Sequence, residues 1–214
     1  MTMIVTTAML LNWLRRTADC IHTQCELLTA LDAAIGDADH GINLDRGFQS
    51  VVQSLPTLVD HDAGHILKAT GMRLISTVGG ASGPLYGTAF RRAGMTLEQR
   101  QTVTAEELLH AFRAFVQGIK TMGQAEQGQK TMLDALIPAL ATLEAELTAG
   151  TDLPTALEQA ALAANAGAEA TIPLVAQRGR ASYLGERSAG HKDPGATSAA
   201  LIVYALAETI AEAA

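Results

Sequence analysis

A chain of 214 residues with a formal net charge of −7, from 15 basic and 22 acidic residues, lacks the basic surface that tracks nucleic acid or anionic lipid. Hydrophobic residues make up 48% but aromatics only 4%, with alanine and leucine dominant, so helices are favoured over strands and an all-α fold is predicted. Cys20 and Cys25 are too few for a disulfide framework, no apolar run reaches the roughly 20 residues that cross a bilayer, and no basic, cleavable leader opens the chain, so a cytoplasmic protein away from membranes is expected. One domain over 1–214 is the default at this length, with residues 1–8 set aside as a tail.

Between Leu10 and Leu31 the apolar positions Leu10, Leu14, Ala18, Ile21, Cys25 and Leu28 recur every three or four residues and predict a first helix. A second, carrying Leu44, Phe48, Val51 and Leu55, ends at Pro56; a third runs over about 63–77; a fourth follows the Gly79–Pro84 turn, from Leu85 to Met95. Thr104 and Glu107 form a capping box for a fifth helix that stops in the turn Gly123 to Gly128, and Thr131 with Asp134 resembles a second box for a sixth. Pro154 suits the first turn of an alanine-rich seventh helix that ends by Pro173, and an eighth covers about 196–213 after the polar segment Gln177 to Gly195. Eight helices on short loops imply a bundle or closed ring.

Chemistry gathers in the loops. Asp32, Asp37, Asp39 and His40 lie within nine residues; carboxylates this close repel unless a divalent cation such as Mg²⁺ takes their oxygens. The bland alternative is a solvated loop in which Asp32 ends one helix and Asp37 or Asp39 caps the next. Gly79, Gly80, Ala81, Ser82 and Gly83 precede a helix, where backbone N–H groups cradle anions, although glycines there also serve close helix packing. The segment 179–195 offers Arg180, Arg187, His191, Lys192 and several hydroxyls, as a binding lid does or as a solvated charged loop does.

Taken together, Leu31 to Asn43, Gly79 to Thr88, Gly128 to Ala135 and Gly179 to Ser198 resemble, in order, the motifs of the ADP-binding L subunits of dihydroxyacetone kinases that work with the sugar phosphotransferase system. The likeness runs from about Trp13 to the last helix. It implies an eight-helix antiparallel barrel with nucleotide and Mg²⁺ at one end. On the family's motif Asp32, Asp37 and Asp39 would bind two Mg²⁺ ions, and His40, Gly41, Ile42, Asn43, Ala81 and Ser82 would contact ADP or ATP. Gly123, Met132, Arg180, Asp193, Pro194 and Gly195 would complete the pocket, with Arg180 the candidate catalytic residue. One departure is Gln129, where the family usually has aspartate before Lys-Thr-Met, so a carboxylate role there is not carried over.

The implied partners are a K subunit that binds dihydroxyacetone covalently through a histidine and an M protein that carries a phosphohistidine. A transcription regulator is a further candidate partner, and the chain itself is expected as a monomer or homodimer. Rival readings are a kinase subunit for another short ketose, a fatty-acid-kinase relative, and a nucleotide-sensing module without catalysis. The fatty-acid relatives usually carry Asp-Gly-Asp-Thr-Gly where this chain has Asp37-Ala38-Asp39-His40-Gly41. A metal-dependent phosphohydrolase lacks an evident nucleophile or positioned base.

Overall fold

The computed structural model describes residues 3–214, and among them it contains nine α-helices, two short 3-10 segments and one pair of two-residue strands. The helices are α1 (Thr7–Thr23), α2 (Cys25–Ile35), α3 (His40–Ser54), α4 (Ala63–Thr77), α5 (Ser82–Thr96), α6 (Ala105–Gly123), α7 (Leu133–Thr148), α8 (Leu153–Glu169) and α9 (Pro194–Ala211). From α3 onward each helix packs on its successor, α9 returns to α1, and α1 packs on α3, which closes an eight-membered ring with α2 as the extra helix.

The extra helix arises at Gln24. The stretch read as one helix from Leu10 to Leu31 breaks there, at φ −99° and ψ 10°, with the Gln24 N–H bonding back to the carbonyls of Cys20 and His22. Ile21 and Leu28 on either side are both buried, so the hydrophobic period runs through the break without a mark. The break lets α2 contact α3, α9 and the 3-10 segment Arg180–Ser188.

Phe90 on α5 sits at the centre of the core, its ring 5.1 Å from Phe115, 5.7 Å from Trp13 and 6.5 Å from Phe48, so four helices meet on one aromatic cluster. The Trp13 indole N–H donates to the Ile202 carbonyl at 3.1 Å and ties α1 to α9. Helix α9 is apolar and long enough by composition to cross a membrane, but most of it is buried against α1, α7 and α8, and its alanines suit that close packing.

The α2–α3, α4–α5, α6–α7 and α8–α9 connections surround one cavity and so share one end of the ring. At the opposite end the Ala63 N–H donates to the Arg100 carbonyl at 2.8 Å and the Gly64 N–H to the Leu97 carbonyl at 3.1 Å, joining the α3–α4 and α5–α6 connections. Residues 5–8 belong to this end and are no tail: in strands β1 (Val5–Thr6) and β2 (Thr102–Val103), buried Val5 pairs with Val103, and Thr6 accepts the Met9 N–H to start α1. Met1 and Thr2 lie outside the described residues.

Candidate functional site

The cavity at the shared end measures about 920 Å³, at the upper end of the range for small-molecule sites. Asp32, Asp37 and Asp39 lie at its edge, each offering one carboxylate oxygen, with these atoms within 4.8 Å of one another. Asp32 projects from the last turn of α2, and its Oδ2 accepts the N–H of Asp39 at 2.9 Å and of His40 at 3.2 Å, so it caps α3 from a neighbouring helix. Asp39, although it holds the N-cap position of α3, makes no side-chain cap bond, which leaves its carboxylate to the cluster. The capping alternative therefore accounts for one oxygen of Asp32 and for nothing on Asp37 or Asp39.

Gly36 and Gly41 flank the turn, and close approach explains both: a Cβ on Gly36 would stand 2.1 Å from Asp32 Oδ1, and one on Gly41 2.1 Å from the Cys25 carbonyl oxygen. The left-handed residue between them is Ala38, at φ 61°. The cluster's one direct counter-charge is Arg180, whose Nε is 3.1 Å from Asp37 Oδ2. Three hard oxygen donors around one point suit Mg²⁺ and not a soft metal.

His40 opens α3 and is held from both sides. Its Nε2 lies 2.9 Å from Ser198 Oγ and its Nδ1 3.2 Å from Ser82 Oγ. Ser198 Oγ also lies 3.0 Å from the Gly195 carbonyl and 2.7 Å from the Tyr86 hydroxyl, so both imidazole nitrogens are engaged by serine hydroxyls within one buried network. Burial pushes the imidazole below its ordinary pKa, against the raising pull of Asp32 and Asp39, and pushes the Tyr86 phenol up. His40 is thus a neutral, fixed group that aims Ser82.

Helix α5 begins at Ser82, three residues before the expected Leu85, with Gly80 at φ 65° in the turn and Ala81 in the cap position without a side-chain bond. Its first N–H groups are open to an anion. Gly123, Met132, Asp193, Pro194 and Gly195 also line the cavity, as does Asn43. Asp193 caps α9, accepting the Ala196 N–H at 2.7 Å, and burial raises its pKa to about 7.

Two expected contacts do not line the cavity: Gly41 is buried against α2, and Ile42 is 54% exposed on α3. The segment 177–195 is no solvated loop. Ile35, Ala176 and Ala181, with Leu184 against them, form a small separate core under it, and 177–183 forms one wall of the cavity. Leu85, Ile119, Met122, Tyr183 and Lys130 line the cavity as well and were not singled out. The apolar ones share the helical periodicity of core residues, and a buried lysine has no signature in a loop.

The model of the DAK2 domain matches residues 34–208. The PEP-dependent dihydroxyacetone kinase, ADP-binding subunit DhaL, of Escherichia coli K12 is 50% identical over 198 residues, covering 92% of this chain and 94% of that protein. The ADP-binding subunit DhaL of PEP-dependent dihydroxyacetone kinase 1 of Listeria innocua is 41% identical over 199 residues, covering 93% and 94%. The crystal structure of the dihydroxyacetone kinase from C. freundii in complex with AMP-PNP and Mg²⁺ superposes with a TM-score of 0.71 at 30% identity over 97% of this chain, which spans only 35% of that one. With this agreement of sequence and ring architecture, the chain belongs to the DAK2 domain family.

Proposed function

We propose that this chain is the nucleotide-carrying phosphotransfer subunit of a dihydroxyacetone kinase. It holds Mg–ADP or Mg–ATP as a coenzyme, takes a phosphoryl group from a phosphohistidine protein of the phosphotransferase system, and passes it to dihydroxyacetone on a K subunit. The observation that carries this reading is the convergence of three aspartates with the uncapped N-terminus of α5 on one nucleotide-sized cavity. The names of full-length relatives support it.

When bound, the nucleotide with two Mg²⁺ ions supplies the transferable phosphoryl group and the positive charge that phosphoryl transfer needs. The chain's own residues position it. Asp32, Asp37 and Asp39 would hold the ions, with Asp32 fixed by its bonds to the α3 N-terminus. Ser82 and the first turn of α5 meet phosphate oxygens, and Met132, Leu85 and Ile119 offer apolar surface to a base. Arg180, which pairs with Asp37 at 3.1 Å and lines the cavity, would offer its guanidinium to the phosphates.

The ketone must be held elsewhere. Among the described residues His40 is the one histidine that lines the cavity, and both of its nitrogens are engaged by serines. Native mass spectrometry of the purified protein should find one ADP and two Mg²⁺ retained. Ketone phosphate should form only when a K-type subunit and a phosphoryl donor are added; full activity from the chain alone would overturn the two-protein reading.

A further inference from the structure

Lys130, in the α6–α7 connection, has no part in the scheme above, yet it is 1% exposed and among the largest fully buried side chains. A buried ammonium persists only where acceptors replace its water. Its Nζ donates to the Thr171 carbonyl at 2.6 Å and to the His191 carbonyl. Thr171 stands just after α8 and His191 just before α9, so the two acceptors are the two sides of one excursion. The same stem is closed by the Gly190 N–H to the Ile172 carbonyl at 2.7 Å and the Asp193 N–H to Thr171 Oγ1 at 2.9 Å. Lys130 itself is held at φ 61°, a conformation a lysine keeps only when its surroundings fix it.

The excursion carries Gln177 to Tyr183, including Arg180, to the cavity, and the Gln177 N–H donates to the Gln129 carbonyl at 3.2 Å, next to Lys130 in sequence. The helices on either side have their own packing on α1 and α7 and do not need the ammonium to stay in place. Its bonds therefore act on the excursion and not on the ring.

We propose that Lys130 is a positioning residue whose ammonium ties both sides of the 172–190 stem to the α6–α7 connection and so holds Arg180 over the aspartate cluster. The inference rests on the nucleotide-site reading for its consequence, but the clamp can be read without nucleotide or activity.

Lys130→Met keeps the chain length and removes the donors. In nucleotide-free protein, trypsin should cut at Arg178, Arg180 and Arg187 at least about 10-fold faster in the variant, while cutting at Arg113 within α6 stays at the wild-type rate. Cleavage of the excursion within twofold of wild type, or equal acceleration at Arg113, would overturn the proposal. If Lys130→Met fails to fold, Lys130→Ala, which likewise removes the donors, is read by the same criteria. A positioning role also predicts non-additivity: with partner and donor present, Lys130→Met should slow transfer by about 10-fold alone and by less than about twofold in an Arg180→Ala background. Additive losses would mean that Lys130 does not act through Arg180. Absence of transfer from the wild type itself would count against the kinase reading, while the cleavage ratio still decides the clamp.

Discussion

At the end of the ring away from the cavity, every helix that begins there is closed by a side chain: Thr6 on α1, Asp62 on α4, Thr104 with Glu107 on α6 and Asp152 on α8. At the cavity end α3, α5 and α7 begin on Asp39, Ala81 and Met132, none of which makes a side-chain cap bond; α3 is closed from α2 by Asp32, α7 by the Thr131 hydroxyl and α9 by Asp193, while α5 has no side-chain cap. A cap stabilises by about 1 kcal/mol. Leaving one out keeps N–H groups and the positive helix end free for an anion. The first end is built for stability, the second for a ligand that completes it.

The sharpest way to break that comparison is to remove the ligand's counter-charge. Asp37→Ala and Asp39→Ala should each weaken Mg²⁺-dependent ADP binding by more than about 100-fold, measured by equilibrium dialysis, because phosphate charge then meets an incomplete cation site. The metal-free variants should melt no lower than metal-free wild type, since the lost carboxylates repelled one another and the Arg180–Asp37 pair is largely exposed. A chelator should lower the melting temperature of the wild type alone. Unchanged ADP affinity in both variants would remove the metal assignment.

Asp193, the cap of α9 at the ligand end, gives the next largest effect. Its folded-state pKa of about 7 lies above the 3.8 of the free group, so the folded protein binds this proton more tightly than the unfolded chain does. Its contribution therefore favours the fold below pH 3.8 and is lost as pH rises through about 7. Asp193→Asn keeps an acceptor for the Ala196 N–H and cannot ionise. In nucleotide-free protein its stability relative to wild type should rise between pH 4 and 7, by on the order of a few kcal/mol. Urea midpoints whose difference is flat across that range would show that the carboxylate is ionised throughout.

At the other end Asp62→Ala and Thr104→Ala should each cost about 1 kcal/mol of stability and leave ADP affinity within twofold. Ala81→Asp is the converse experiment. It offers α5 a cap for the Gly83 N–H, Pro84 having none, so stability should rise by up to about 1 kcal/mol while ADP binding falls, the new carboxylate occupying an N–H open to phosphate. A capped variant that binds ADP as wild type does would mean that the open N-terminus is not part of the site.

The same division decides what could be read from sequence. Helix α4 was predicted at its observed limits from its apolar period, with Asp62 capping its start in the structure, and the Thr104–Glu107 box and Pro154 mark α6 and α8. These signals are local, and the far end is made of them. At the cavity end α5 starts earlier than its first large apolar residue, since small residues fill its first turn. For the 177–195 segment the sequence left a binding lid and a solvated loop both open, because its order comes from Ile35 on α2 and from Lys130, both remote in sequence. The aspartate cluster was legible because its three members share one short motif. Lys130 was not, because burial of a loop lysine depends wholly on carbonyls that the fold delivers.

Gln129, the departure from the family's aspartate, carries the smallest expected effect. Its Oε1 accepts the Glu126 N–H at 3.0 Å and the Arg178 Nε–H at 3.3 Å, and its Nε2 meets Gln177 Oε1 at 3.5 Å. An aspartate there would be one bond shorter and would offer Arg178 a charge, but the site is exposed, where ion pairs contribute about 0–1 kcal/mol and are screened by salt. Gln129 does not line the cavity, so a new carboxylate faces Arg178 and not the phosphates. Gln129→Asp should therefore shift stability by no more than about 0.5 kcal/mol and leave ADP affinity within twofold, with any gain fading at high salt. A 10-fold change in ADP binding would mean that Arg178 reaches the nucleotide when Gln129 releases it. The ligand end would then take in Gln129, which the cavity's present wall leaves out.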